Sequence, residues 1–342
     1  MTPARTTPFT DLPAGRQWDF GGFAYGLEPL LLPAATEPDA LRDNDHPERS
    51  YTETCQLIRT LGRDDAPTPP VEPGEAAEEL YWFRWITGHQ VCFIIWRLMG
   101  QLLDELNRGA TSAQAALEPM CRYVDGHSAM LLYTGSCPRD LYHVLIRPSM
   151  RLRHRAFSGS WAPDYPKVRE LFRGRPPLSM SGGDTGELLD SVRVHNLVHD
   201  GVAAKLVPDG RSLLNQAAVR RLNHGMVGMI YDSYFMTVRL PVTRHHVVAQ
   251  LLRRLVAIAQ DVATNGLYAD DRDTLPDEFH TAEVVKCEKD LVEILFEVAR
   301  FACRLPPPEH ARPRHQDPRH QDPRHQDPRH QDPRTAAGVA GQ

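Results

Sequence analysis

Histidines carry most of the chemistry legible in this sequence. His89 lies in Trp85-Ile-Thr-Gly-His-Gln-Val-Cys-Phe-Ile-Ile-Trp96, an aromatic stretch with apolar residues at helical spacing. His224 lies in Arg-Leu-Asn-His-Gly-Met-Val-Gly-Met-Ile-Tyr, which reads as mid-helix, with Gly225 and Gly228 close by. Glycine costs a helix interior about 1 kcal/mol relative to alanine, so two beside one histidine need a reason. Close approach of something flat is one, because a helix carrying an axial imidazole must run near the porphyrin plane. A histidine on an apolar face equally suits a core position whose ring nitrogens are satisfied by the protein itself.

A second constellation is His195-Asn-Leu-Val-His199-Asp200. On a helix this spacing puts both imidazoles on one face, and two histidines with one carboxylate suit non-haem iron. Gly201 follows directly and the segment is short and polar, so an exposed helix end is the favoured reading. His245 and His246 are adjacent, point in different directions on a helix, and make no chelating pair. Arginines crowd Ile146-Arg-Pro-Ser-Met-Arg-Leu-Arg-His-Arg155. Arg147 and Arg151 present planar forks that match a carboxylate or a haem propionate, or they simply solvate a surface. The Ser158-Gly159-Ser160 turn offers backbone donors near a ligand.

These groups need helices to hold them. Glu78–Asn107 places Trp82, Trp85, His89, Phe93, Trp96 and Leu103 on one stripe at steps of three and four. Ser212 reads as the N-cap of a long helix reaching about Val238, before Pro241. Arg244–Thr264 sets Val247, Val248, Leu251, Leu252, Leu255 and Ile258 on one face, with Asn265-Gly266 as a C-cap. Glu278–Leu305 reads as one further amphipathic helix. Few segments alternate with period two, and Val144–Ile146 is too short to build a sheet. The expected fold is all-α.

Proline marks the boundaries. Of 29 prolines, eleven precede residue 81 and eight follow residue 305, which leaves a proline-poor helical centre. The chain therefore divides into an irregular N-terminal arm (1–47), a helical domain (48–305) and a tail (306–342). From Pro313 the tail repeats Pro-Arg-His-Gln-Asp four times with no apolar residue, so it is expected to be disordered. A net charge of -5 gives no long-range attraction for nucleic acid or anionic lipid. The apolar run at Val91–Trp96 is far short of the ~18 residues of a membrane span. Six scattered cysteines and the lack of a signal core point to a reducing cytoplasm.

In order and spacing these segments resemble the histidine-ligated haem-dependent aromatic oxygenases, the superfamily of tryptophan 2,3-dioxygenase. The carrying residues are His89-Gln90 with Trp96-Arg97, Ile146-Arg147-Pro148, Phe157-Ser158-Gly159, and Asn223-His224-Gly225, between about Tyr81 and Val238. The dioxygenases carry a glycine-rich loop after the proximal histidine. Here Tyr231–Arg239 follows instead, and Ser181-Gly-Gly-Asp-Thr-Gly186 precedes it. The closer similarity is to the haem-dependent L-tyrosine 3-hydroxylases of propylproline antibiotic biosynthesis. That resemblance implies a single helical domain of the dioxygenase type holding haem b, with His224 on the iron. It implies His89 as the acid–base for hydrogen peroxide, and conversion of L-tyrosine to L-DOPA. Trp85, Arg147, Ser158 and Asn223 would meet the substrate, and Arg151, Gly225 and Gly228 the haem. A cytoplasmic homodimer goes with the family. An indole-cleaving dioxygenase, a haem-binding sensor without turnover, and the non-haem site at His195 and His199 are the alternatives.

Overall fold

The computed structural model describes residues 27–35, 49–61, 75–177, 180, 185–207, 213, 223–268 and 275–304. Its first element is a three-residue strand, β1 (Leu30–Leu32). The helices α1 (Arg49–Leu61), α2 (Glu75–Asn107) and α3 (Ala113–Gly135) follow. A short α4 (Arg139–Leu141) runs into a π-helical turn at Tyr142–Ile146 and then α5 (Arg147–Arg153). After 3₁₀ turns at Gly159–Trp161 and Tyr165–Lys167 come α6 (Arg169–Phe172) and α7 (Gly186–Leu206). The remainder is α8 (His224–Tyr234), β2 (Thr237–Arg239), α9 (Arg244–Asn265), α10 (Ala282–Lys289) and α11 (Leu291–Ala302). The fold is all-α apart from β1 and β2, which pair in parallel. One compact unit spans Met1–Leu305; the other, Pro306–Gln342, lies outside the described residues, as does Ser212.

α3 lies at the centre and packs on α2, α7 and α11, while α9 packs on α1, α2 and α11. Two glycines let α3 come close to its neighbours. A Cβ on Gly88 of α2 would stand 2.4 Å from Thr134 Cγ2, and one on Gly126 of α3 would stand 2.4 Å from Val298 Cγ2. Each of these glycines immediately precedes a histidine, His89 and His127.

A buried ion pair fixes α2 against the end of α9. Arg84 forks onto both carboxylate oxygens of Asp261 at 2.8 and 2.9 Å and donates to the carbonyls of Gly266 and Leu267. The Tyr133 hydroxyl and the Asn265 amide donate to the same carboxylate. Arg84 is 1% and Asp261 0% exposed, so every member of the network relies on the others for solvation.

Three expectations change here. The long helix expected to reach Val238 is interrupted at Asn223, which caps the eleven-residue α8 by accepting from Gly225 and Met226 backbone N–H, and Met236 at φ 54° turns the chain into β2; of the stretch between Ser212 and Asn223 only Leu213 is described. Thr237-Val238-Arg239 then finds strand partners in Leu30–Leu32 of the arm, a pairing that local periodicity does not encode. The final helix is broken at Asp290, whose N–H closes α10 and whose carbonyl opens α11. α9 runs as expected, ending at Gly266 with φ +67°.

Candidate active site

The centre of the aromatic stripe on α2 opens onto a cavity of about 400 Å³, within the range typical of small-molecule sites. Trp85, His89, Cys92 and Trp96 of α2 line one side. α3 adds His127, Leu131 and Thr134, and α7 adds His199. Tyr142, Arg147, Met150 and the Phe157–Ser160 segment close the opposite wall, with Tyr231 and Phe235 at the C-terminal end of α8. The lining is apolar and aromatic with a few convergent polar groups.

His89 is held tightly. Its Nδ1 donates to the Trp85 carbonyl at 2.7 Å, one turn back on α2, which leaves Nε2 as the proton acceptor. Phe235 stacks on the ring at 4.4 Å and Trp85 lies 4.2 Å away. This desolvation pushes its pKa down to about 4, so the imidazole stays neutral near pH 7. The Trp85 indole N–H in turn donates to the Tyr234 hydroxyl at 3.2 Å, and Tyr234 shares a 2.7 Å hydrogen bond with Ser149. Trp85 and His89 are thereby fixed as a pair.

His127 is the functional candidate that sequence reasoning passed over. It is 6% exposed, and its Nδ1 is buried with no hydrogen-bond partner among the described residues. Trp96, Phe172 and His195 surround the ring at 5.2, 4.8 and 4.7 Å, and burial holds its pKa well below the ordinary histidine value. The signal for it was present: Gly126-His127 in an apolar helix repeats the glycine-beside-histidine feature used to single out His224. His195 stacks on His127 from behind and is likewise neutral, its pKa pushed to about 3 by burial.

Other sequence candidates divide cleanly. Trp85, His89, Arg147 and Ser158 share the cavity. Arg147 donates to the Tyr142 hydroxyl, and the hydroxyls of Ser158 and Ser160 lie 2.9 Å apart. Arg151 is exposed one turn on and is not part of the lining. His224 is not mid-helix: it is the first residue of α8, exposed, and outside the lining, as are Asn223 and Gly225. Gly228 has a packing role, since a Cβ there would stand 3.2 Å from Pro163 Cγ. The exposed-end reading of His195 and His199 also changes. Both sit inside the 21-residue α7, with His195 buried and His199 exposed where it lines the cavity. Their rings are 6.4 Å apart, and among the described residues no group of three His, Cys, Asp or Glu side chains is placed to hold a metal ion.

The site is thus an aromatic cavity with His89, His127 and His199 in its lining, built on an all-α frame. A family model described as SfmD 3-methyl-L-tyrosine peroxygenase matches residues 34–188. The matched span carries Trp85, His89, His127, Arg147 and Ser158, and it ends before His224. The similarity supports an oxidoreductase of the peroxygenase type. No curated protein matches the chain. No described helix is long and apolar enough to cross a membrane.

Proposed function

We propose that this protein is a haem-dependent peroxygenase that hydroxylates a tyrosine-type amino acid on the ring, next to the phenol. The observation that carries the reading is the convergence of His89, His127 and Arg147 on one aromatic cavity, inside the span similar to the peroxygenase family. The donor set fits a haem. Neutral imidazole is the form that binds iron, and burial keeps His127 neutral. We therefore propose His127, in place of His224, as the residue that would hold the iron, with haem b as the cofactor. When bound, the haem supplies the redox chemistry by which hydrogen peroxide delivers an oxygen atom to the ring.

The chain's own residues set the conditions for that transfer. Nε2 of His89 accepts a proton from hydrogen peroxide and returns it to the departing oxygen, as general base and then acid. Arg147 pairs with the substrate carboxylate, giving up its hydrogen bond to Tyr142 or sharing it. Trp85 and Phe235 wall the ring, and the hydroxyls of Ser158 and Ser160 serve the polar end. With Trp85, Trp96 and Phe157 filling the walls, a single phenol ring suits this space better than an indole.

Three results test the reading. L-tyrosine or its 3-methyl derivative with peroxide should yield a catechol, which from L-tyrosine is L-DOPA. Tyramine should react poorly, because it lacks the carboxylate that Arg147 is proposed to pair with. L-tryptophan should give no N-formylkynurenine. Chromatography decides: N-formylkynurenine as the main product means a dioxygenase, and haem without any product means a sensor. Separately, His127→Ala should lose the haem or shift its Soret band, while His224→Ala keeps both. The reverse outcome restores His224 as the ligand.

A further inference from the structure

Trp96 lines the cavity, yet the proposed hydroxylation gives it no part beyond a wall. Its indole is 5% exposed, and its Nε1 is buried without a hydrogen-bond partner among the described residues. The ring stands 5.2 Å from His127 on one side and 5.1 Å from Tyr165 on the other. Tyr165 is only half-buried, in the 3₁₀ turn Tyr165–Lys167, and Arg169, Glu170 and Arg173 surround its phenol electrostatically. A tryptophan and a tyrosine thus stand in line from the cavity interior to its polar rim. Indole and phenol are the two side chains that lose a single electron most readily.

We propose that Trp96 and Tyr165 form an outlet for oxidising equivalents, which drains the peroxide-activated cavity when no substrate ring occupies it. This rests on the peroxygenase reading, which names the oxidant as one derived from hydrogen peroxide. The electron count is simple. Trp96 gives one electron to the oxidised centre, Tyr165 returns one electron to Trp96, and the Tyr165 phenol loses its proton to water. The net change is a one-electron reduction of the oxidant and conversion of Tyr165 to a neutral phenoxyl radical.

The surroundings decide where the oxidation comes to rest. Without a proton acceptor, the oxidised Trp96 indole keeps its N–H and acts only as a relay. Tyr165 has water at hand to take its proton, so the radical settles there. Trp85, on the same cavity, meets two tyrosines, Tyr142 at 6.1 Å and Tyr234 through its N–H, and both are buried. Trp85 donates its N–H to Tyr234, and the Tyr234 phenol is 5% exposed and shares its hydrogen bond with Ser149. That phenol has no water to receive a proton, and burial pushes its pKa up to about 12. Oxidation at the Trp85 side has no comparable exit.

The test uses haem-loaded protein treated with hydrogen peroxide in the absence of any amino acid. Electron paramagnetic resonance on rapidly frozen samples, peptide mass mapping and the decay of the Soret band are the readouts. Wild type should show a tyrosyl signal and oxidative adducts at Tyr165. Tyr165→Phe should abolish that signal and bleach the Soret band several-fold faster, and Trp96→Phe should weaken the signal while Tyr165 is still present. An unchanged signal and unchanged bleaching in Tyr165→Phe would overturn the proposal. So would a rise in the KM for L-tyrosine, measured in separate turnover assays, as the only effect, since that marks Tyr165 as a substrate contact. A Soret band that ignores peroxide in the wild type removes the peroxygenase reading itself, and the outlet with it. A Soret band that responds without any Tyr165 radical removes the outlet alone.

Discussion

If the protein is the haem peroxygenase proposed, His89→Ala should keep its haem and lose about 10²- to 10⁴-fold in peroxide-driven turnover, the usual worth of a positioned acid–base group. The size of the effect follows from how completely the ring is prepared. The Trp85 carbonyl occupies Nδ1, Phe235 and Trp85 prevent rotation, and burial keeps the imidazole neutral down to about pH 4. Removal of the ring leaves His127, the haem ligand proposed above, untouched on a separate helix. The pH profile carries the same information. With His89 as the base, turnover should hold on the acid side until pH approaches 4, where protonation takes Nε2 away. His89→Gln keeps a hydrogen-bonding side chain but cannot cycle a proton, and should recover little activity. Near-native turnover in a haem-replete His89→Ala protein would assign the proton transfers to another group.

Buried imidazoles also make the fold sensitive to acid. An unfolded histidine takes a proton near pH 6.5, whereas folded His89 and His195 refuse it until about 4 and 3. Stability contributed by these rings is therefore complete above pH 6.5 and falls as pH drops below it. His127 acts in the same direction.

How much of this was legible in the sequence depends on whether the information was local. The stripe on α2 is a property of spacing alone, so the sequence by itself places Trp85, His89 and Trp96 together. α9 announced itself by its apolar face and its terminal glycine. β2 did not, because Thr237–Arg239 becomes a strand only through Leu30–Leu32, some two hundred residues away. His224 was singled out for the two glycines beside it, yet Gly228 serves a contact with Pro163 and Gly225 sits in a capped first turn. The same criterion, applied to Gly126-His127, finds a cavity residue. What separates the two cases is which glycine faces another helix, and that is a tertiary fact.

Asp261→Ala should cost about 3–5 kcal/mol of stability, the typical penalty for leaving one partner of a buried ion pair without its counter-charge. The Arg84 guanidinium cannot shed its proton, and at 1% exposure it has no water to turn to. Its remaining acceptors, the carbonyls of Gly266 and Leu267 and the Ser136 hydroxyl, carry no full charge. The Tyr133 phenol loses its acceptor in the same step. For a domain of this size, 1 kcal/mol corresponds to roughly 2–4 °C, so Tm should fall by about 10 °C. The consequence reaches the cavity because Arg84 directly precedes Trp85, and a loosened α2 should bind haem more weakly. Thermal unfolding of the apo protein separates the two effects, since the stability loss does not depend on the cofactor. Replacing both partners by apolar side chains of similar volume, as in Arg84→Met with Asp261→Leu, should recover much of the loss, because no unpaired charge then remains. A Tm within about 2 °C of wild type for Asp261→Ala alone, less than the shift expected for 1 kcal/mol, would mean that water reaches Arg84, and that the network orients α2 without stabilising it.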